Sequence, residues 1–371
     1  MAKKTKEEDR FARLMQSDLI AKIQKKHGRS ILTPADEFKI KRVPRIPTGI
    51  FFYDYALGGG GFPAGRTNIV WGHKSTGKTV ICLRAMGNAQ KLCANCYSFK
   101  DPETGKCVCG KFRETICAFL DVEGSWDHEW AMLHGVNPDR VLLSVPEYAE
   151  QTLDIAEALL RSGDVDFLVI DSLAFLTPSK EIEESSAKAL QAEQARVLGR
   201  GIRKFGAALN HMGNVTGRRP TLLFTNQIRM KVGLLFGNPE TQPGGYAPGF
   251  SATTETKTYG GKYEMDDVTG RPIHVDMGFR IEKNKSSGAK IEGEWRLMLS
   301  DTAIKKKGEV YEEPAMVEMG IKVGLVTKSG NGWECLGEKY RSKSLLVTTM
   351  VENTELKVKF AGMLMSILTA D

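Results

Sequence analysis

Eight consecutive residues, Gly72-His73-Lys74-Ser75-Thr76-Gly77-Lys78-Thr79, constrain this chain more than any other part of it. They fit the pattern G-x-x-x-x-G-K-[ST]. An apolar run (Asn68-Ile69-Val70-Trp71) precedes them and a helical pattern opens at Lys78. Strand, loop and helix in that order are the context in which this pattern cradles phosphates. Glycines let backbone N–H groups face a phosphate without a Cβ clash. The helix N-terminus adds partial positive charge. Lys78 is expected to reach the β- and γ-phosphates, and the Thr79 hydroxyl to ligate Mg²⁺. His73, Lys74, Ser75, Thr76 and Val80 complete the expected nucleotide-binding set. A glycine-rich turn without function would have to explain why every fixed position is filled.

A loop of this kind belongs to a sheet. Strand candidates are Thr67–Trp71, Thr115–Asp121, Val165–Asp171, Thr221–Asn226 and Gly278–Lys283. The segments between the first three are long enough for helical crossovers, which predicts an α/β fold with a mostly parallel, twisted sheet. Asp171 ends one strand and is the expected acidic partner in the Mg²⁺ shell. Glu123 follows another, read as the neighbour of the phosphate-loop strand, and is the candidate to orient the attacking water. Gln227 ends a fourth, where an amide can sense a phosphate oxygen and pass its position to the following loop. Each alone reads equally as a solvated strand end; three converging on one loop do not.

The chain has 371 residues, enough for one large domain or two to three smaller ones. Pro44 and Pro47 mark a linker, so residues 1–45 read as an N-terminal arm and 46–300 as the core. After Lys305-Lys306-Lys307 the texture changes, which predicts a small α+β domain over 301–371 ending in an apolar helix near Phe360–Leu368. Net charge is +7, and residues 1–30 hold nine Lys/Arg against four Asp/Glu. Phe11, Met15, Leu19 and Ile23 recur at four-residue spacing, beside Leu14 and Ile20, and predict one amphipathic helix over 11–26. It either covers its own domain or docks on a neighbouring subunit. No apolar run is long enough for a membrane helix, and the first residues lack the apolar stretch of a signal peptide. The expectation is a soluble intracellular protein.

Four of the seven cysteines crowd into 92–113 as Cys93-x₂-Cys96, ten residues, then Cys107-x-Cys109. Two tight pairs around a turn suit a tetrahedral, closed, structural Cys₄ zinc site, although the second pair has one intervening residue where two are usual. Free buried thiols or a redox pair are the alternatives. Lys100, Lys106, Lys111 and Arg113 on this segment read as solvated charge or as nucleic-acid contacts. Cys82, Cys117 and Cys335 read as core.

Four stretches carry a wider resemblance: IPTGIFFYDYALGGGGFPAGR (46–66), FLDVEGSW (119–126), ALLRSGDVDFLVIDSLAFLTPSKEIE (158–183) and TNQIRMKVGLLFGNPETQPGG (225–245). In these the sequence resembles the RecA family of DNA recombinases, from about Ile46 to Lys285 and more weakly to the end. The NQIRMK and FGNPET elements are specific to bacterial-type members, and the insertions resemble phage or plasmid ones. The resemblance implies a P-loop NTPase core of the RecA type. It also implies a DNA-dependent ATPase in the bacterial or phage-infected cytoplasm that forms a homo-oligomeric helical filament on single-stranded DNA. ATP would bind between subunits, and the bound strand would be exchanged with homologous double-stranded DNA. A ring-forming helicase on the same core and a non-catalytic nucleotide-gated DNA scaffold are the alternatives.

By the same resemblance, Glu123 activates water and Gln227 couples ATP to a DNA loop. Asp127 and Trp130 contact adenine. Lys283 and Lys285 act on the γ-phosphate of the neighbouring subunit, and Phe250 sits at the subunit contact. Arg196 and Arg203 touch the DNA backbone. One DNA loop lies around Glu181–Leu190. In the other, over Arg229–Gly245, Arg229 and Lys231 supply charge and Met230 and Val232 apolar wedges, while Gly244 and Gly245 permit close approach of phosphates. The chain departs from the family at Lys74, where bacterial members commonly carry an acid, and in a longer connection at 206–220. The segment 92–113 is an insertion, 253–271 matches poorly, and there is no acidic tail.

Overall fold

A computed structural model describes residues 6–27, 32, 43–183, 191–230, 240–287 and 290–370. Its centre is a nine-stranded sheet. The strands run in the order Tyr263–Met265, Pro272–Asn284, Thr254–Tyr259, Thr67–Gly72, Thr221–Gln227, Phe167–Asp171, Cys117–Asp121 and Val141–Ser144, with Glu292–Met298 also paired to Pro272–Asn284. From Thr254–Tyr259 to Val141–Ser144 every neighbour is parallel, and the pairings of Pro272–Asn284 are antiparallel.

The strands Thr67–Gly72, Cys117–Asp121 and Phe167–Asp171 are buried along their whole length because helices cover both faces. Alternation decides which side chain meets which helix. Phe167 and Val169 join the core under the helix Lys78–Ala89, with Ile81, Leu83 and Met86. Leu168 and Ile170 face the opposite layer, with Leu153, Leu160, Leu198, Ile202 and Phe205 from the helices Ala149–Ser162 and Gln191–Val215.

All five expected strands are present. Four more, Val141–Ser144, Thr254–Tyr259, Tyr263–Met265 and Glu292–Met298, were not expected, and one inferred adjacency is wrong. The strand leading to Glu123 does not neighbour the phosphate-loop strand, because Thr221–Gln227 and Phe167–Asp171 lie between them. After the phosphate-loop helix the chain crosses to a distant position, and later strands fill the gap.

The N-terminal expectation also needs correction. The arm is two helices, Lys6–Met15 and Asp18–His27. The first closes with a bond from the Ser17 N–H to the Leu14 carbonyl at 3.0 Å. The Ser17 hydroxyl then accepts from Ile20 N at 3.4 Å as the cap of the second. The apolar spacing runs through this break, so periodicity alone could not reveal it. Ile20 is buried, while Phe11, Leu14 and Leu19 stay exposed.

A separate core gathers Met316, Val317, Leu346, Met350, Phe360 and Leu364 beneath a three-stranded antiparallel sheet. Its last helix is Thr354–Leu368. Phe51 belongs to this core too, and its N–H donates to the buried Glu312 carboxylate at 2.7 and 3.0 Å. Burial pushes the Glu312 pKa up to about 7. Buried Glu313 is paired with Lys305 at 2.9 Å and Lys357 at 2.6 Å.

Candidate nucleotide and nucleic-acid site

The phosphate loop leaves its strand at Gly72, where a Cβ would lie 2.3 Å from the Thr258 carbonyl oxygen. It enters its helix through Gly77, at φ +81° and against Met277 and Trp295, so both glycines are required by the backbone path. Thr76 donates to the His73 carbonyl at 2.8 Å and shares a 2.7 Å hydroxyl contact with Thr258. Lys78 folds back on its own loop and donates to the carbonyls of His73 at 2.6 Å and Gly72 at 3.3 Å. Burial lowers its pKa, opposed by Asp171 and Glu123.

Two carboxylates and their polar partners converge from three strand ends. Thr79 donates to Asp171 Oδ2 at 2.8 Å, Ser125 to the same oxygen at 3.3 Å, and Thr225 to Oδ1. Gln227 Nε2 donates to Glu123 Oε1 at 3.1 Å, and the Ser172 hydroxyl to Oε2 at 3.3 Å. Asp121 holds the turn after its strand by accepting from Ser125 N at 2.9 Å and Trp126 N at 3.0 Å. Ser125, Thr225 and Ser172 were not singled out from sequence. Hydroxyls beside an expected Mg²⁺-shell carboxylate are the signal that could have found them.

A second chain of contacts leads from the phosphate loop to the base of the segment expected to be the second DNA loop. His73 Nε2 lies 3.1 Å from Glu240 Oε1, and Lys257 pairs with the other oxygen of Glu240. Lys257 also lies over the Trp71 ring at 5.3 Å. Glu240 opposes Met230 in a short antiparallel ladder that also pairs Arg229 with Thr241. Asn226, next to Gln227, donates to Gln242 at 3.3 Å and to the Pro243 carbonyl at 3.2 Å. Arg229 and Met230 are exposed. Lys231, Val232 and most of the expected first DNA loop lie outside the described residues. Gly244 is buried against Leu198 and Pro248, so its left-handed backbone (φ +90°) serves packing within the chain, while Gly245 is exposed.

Lys283 donates to the carbonyls of Gly249 and, at 3.3 Å, of Phe250. Burial and then Lys285 lower its pKa. Lys285 is exposed, as are Phe250 at 74% and Tyr246 at 79%, their rings 6.0 Å apart. Three residues expected at a subunit contact thus share one surface. Asp127 caps the helix His128–Leu133 and accepts from Trp130 N at 2.8 Å. Trp130 is half-buried, edge-on to His134, with Lys307 5.8 Å from its ring centre. Arg196 and Arg203 are exposed on the helix Gln191–Val215, Arg196 in an ion pair with Glu193.

The four cysteines of 92–113 come together at the opposite edge of the sheet. Their sulfurs all lie within 4.8 Å of one another. Cys93 and Cys109 are 3.8 Å apart, Cys107 and Cys109 3.3 Å. Corners of a tetrahedron of thiolates around a metal at about 2.3 Å are about 3.8 Å apart. Burial raises the Cys96 thiol pKa, but hydrogen bonds from Ser98 and Cys109 outweigh it and pull it down to about 6. Arg113 ties this ribbon to the sheet. Its N–H meets Cys93 Sγ at 3.4 Å and its guanidinium grips Asp166 at 2.5 and 3.3 Å. Asp166 in turn bonds to Ile116 and Thr221, at the starts of the neighbouring strands. Tyr97 donates to the Arg219 carbonyl at 2.8 Å.

Comparison with known proteins fits this geometry. The RecA N-terminal domain family matches residues 14–107 and 104–302, two stretches that meet inside the cysteine ribbon. Protein RecA of Francisella philomiragia is 33% identical over 346 residues, covering 91% of this chain and 86% of that protein. Protein RecA of Nitrobacter winogradskyi is 35% identical, covering 85% of this chain and 77% of that protein. Protein RecA 1 of Myxococcus xanthus is 35% identical, covering 86% and 83%. With the phosphate loop, the acidic strand ends and the Glu123–Gln227 pair in one network, and with relatives matched over most of their length, this chain belongs to the RecA family.

Proposed function

We propose that this protein is an ATP-dependent recombinase. It assembles as a filament on single-stranded DNA, hydrolyses ATP when DNA is bound, and exchanges the bound strand with homologous duplex. The hydrogen bond between Gln227 and Glu123 carries the reading. Glu123 is the group to take a proton from water attacking the γ-phosphate. Gln227 holds that carboxylate and begins the segment that leads to Arg229 and Met230. A γ-phosphate drawing the Gln227 amide would free Glu123 for water and shift the DNA loop in one movement. Lys78 must leave the His73 and Gly72 carbonyls to meet phosphate.

Thr79 and Asp171 would hold Mg²⁺, which supplies charge neutralisation between the β- and γ-phosphates. Lys283 and Lys285, beside Phe250 on an exposed face, would complete the site of the next subunit. Arg196, Arg203, Arg229 and Met230 would face DNA. Their backbone-directed charge predicts sequence-independent, salt-sensitive binding. The cysteine ribbon fits zinc, since four thiols lie within 4.8 Å of one another, and a full set of protein ligands would make the metal structural. Among the described residues no helix is long and apolar enough to cross a membrane.

The test is strand exchange on homologous and heterologous substrates, with and without ATP. Exchange that needs both homology and ATP supports the reading. DNA-stimulated hydrolysis with closed rings and no exchange would favour the helicase alternative.

A further inference from the structure

The ribbon has an outer face that the nucleotide site does not use. Phe99 is 55% exposed and Val108 is 89% exposed, an aromatic ring and an apolar tip held out in water. Lys100, Lys106 and Lys111 are exposed on the same short ribbon. None of the three forms an ion pair among the described residues, whereas Arg113 is paired with Asp166 and Arg140 with Glu114. The nearby acids are largely engaged. Asp101 accepts from Thr104 N at 2.7 Å, Thr104 Oγ1 at 2.9 Å and Glu103 N at 3.1 Å, and Glu114 holds Arg140. The exposed Arg219, joined to the ribbon through Tyr97, extends the basic face.

We infer that the ribbon is a second DNA-contacting surface, which takes unpaired nucleic acid with Lys100, Lys106 and Lys111 on phosphates and Phe99 on a base face. Lys100 lies over the Phe112 ring at 5.4 Å, and none of the three lysines is neutralised by an ion pair among the described residues. Such charge on the same ribbon as an exposed ring is the combination that binds single strands, since charge follows the backbone and the ring stacks on a base. A duplex hides its base faces and leaves Phe99 nothing to stack on. The ribbon sits at the strand starts, by Asp166 and Thr221, whereas Arg229 and Met230 follow the strand end at Gln227. Strands of five to seven residues separate the two by roughly 17–23 Å. The ribbon therefore holds a different stretch of DNA from the one at Arg229 and Met230. The inference rests on the reading of the chain as a DNA-binding ATPase with a metal-held ribbon.

Two measurements on the full-length protein test it. Photo-cross-linking to a single-stranded oligonucleotide carrying 5-iodouracil, mapped by mass spectrometry, is expected to mark the peptide containing Phe99. The triple variant Lys100→Ala/Lys106→Ala/Lys111→Ala is expected to flatten the dependence of log affinity on log salt by about 2 for single strands. Its bound metal and its hydrolysis at saturating DNA should match the wild type. Phe99→Ala should weaken single-strand binding about tenfold without losing metal. If the triple variant sheds its metal, Phe99→Ala and the cross-link decide. Wild-type affinity and slope in both variants, with adducts confined to other segments, overturn the inference alone. A change confined to duplex overturns the single-strand assignment. A wild-type protein that binds no DNA and shows no DNA-stimulated hydrolysis sinks the recombinase reading with it.

Discussion

The two edges of the central sheet are built from opposite logic. At the strand ends, Thr79, Thr225 and Ser125 satisfy Asp171, Gln227 and Ser172 satisfy Glu123, and Lys78 satisfies its own loop. Polar groups there find partners inside the chain, so that edge folds without a nucleotide and binds one by exchanging internal hydrogen bonds for phosphate oxygens. Such an exchange suits a ligand that must come and go. At the strand starts, four sulfurs crowd within 4.8 Å, with the Ser98 hydroxyl, the Lys111 carbonyl and the Arg113 N–H as weak hydrogen-bond partners. Thiols are weak donors and acceptors. A metal is what would make that crowding favourable, and it would stay for the life of the fold. One edge is made for turnover and the other for permanence.

The largest expected effect breaks only the turnover edge. Lys78→Ala removes the loop cation proposed to meet the phosphates and should cost ~10²-fold or more in DNA-stimulated hydrolysis. Its metal content should equal the wild type. Glu123→Gln keeps a group that accepts from Ser172 but cannot take a proton. Phosphate release should fall ~10²–10⁴-fold while nucleotide binding, followed with a fluorescent analogue, is retained. Weakened nucleotide binding of equal size would move Glu123 from water activation to ligand holding.

The permanence edge is tested by Cys96→Ser. Metal measured on the purified protein should drop to near zero, because three thiolates leave a tetrahedral site open. Structural zinc binding is worth about 10–16 kcal/mol in small isolated modules. In a domain with its own large core the loss is local, so Tm should fall by about 5 °C or more while the fold survives. Residual hydrolysis should stay within about tenfold of wild type. If hydrolysis vanished while Tm held, the two edges would not be separable.

The edges also differ in how far they could be read from sequence. The phosphate edge was legible because each residue there obeys a local rule: a glycine where the backbone turns, a lysine and a hydroxyl at the helix start, an acid at a strand end. Strand order was not, since a crossover says nothing about how many positions it skips. Thr254–Tyr259 was missed although it pairs directly with the phosphate-loop strand. Thr254, Thr256 and Thr258 are fully buried, and each hydroxyl is satisfied by a residue distant in sequence: Asn68, Tyr53 and Thr76. Alternating threonines read as surface until those partners are known. The retraction of Lys78 onto its own loop was likewise invisible, because it depends on which carbonyls the folded loop turns inward. At the other edge, cysteine spacing was legible, but the Arg113–Asp166 anchor was not. Sequence offered that arginine as a surface charge, and only the approach of two strand starts makes it a clamp.

That clamp gives the smallest and sharpest test. Arg113 uses both ends of its guanidinium on Asp166 and its Nε on Asn95 at 3.1 Å. Lysine carries the charge but not the fork, so Arg113→Lys loses the two-point grip. Asp166 is nearly buried and keeps its bond from Ile116 N at 3.1 Å, so its desolvation is only partly uncompensated. A loss of about 1–2 kcal/mol follows, or a Tm lower by about 2–4 °C. The backbone N–H of residue 113 still reaches Cys93, so the metal should remain. Asp166 also bonds through its backbone to Thr221, the start of the strand that ends at Gln227. If the sheet transmits strain from one edge to the other, DNA-stimulated hydrolysis will fall by more than the loss of folded protein accounts for. If the edges are independent, hydrolysis per folded molecule will stay within about twofold of wild type. The second outcome is expected, because the strands between them are buried and paired on both sides along their length.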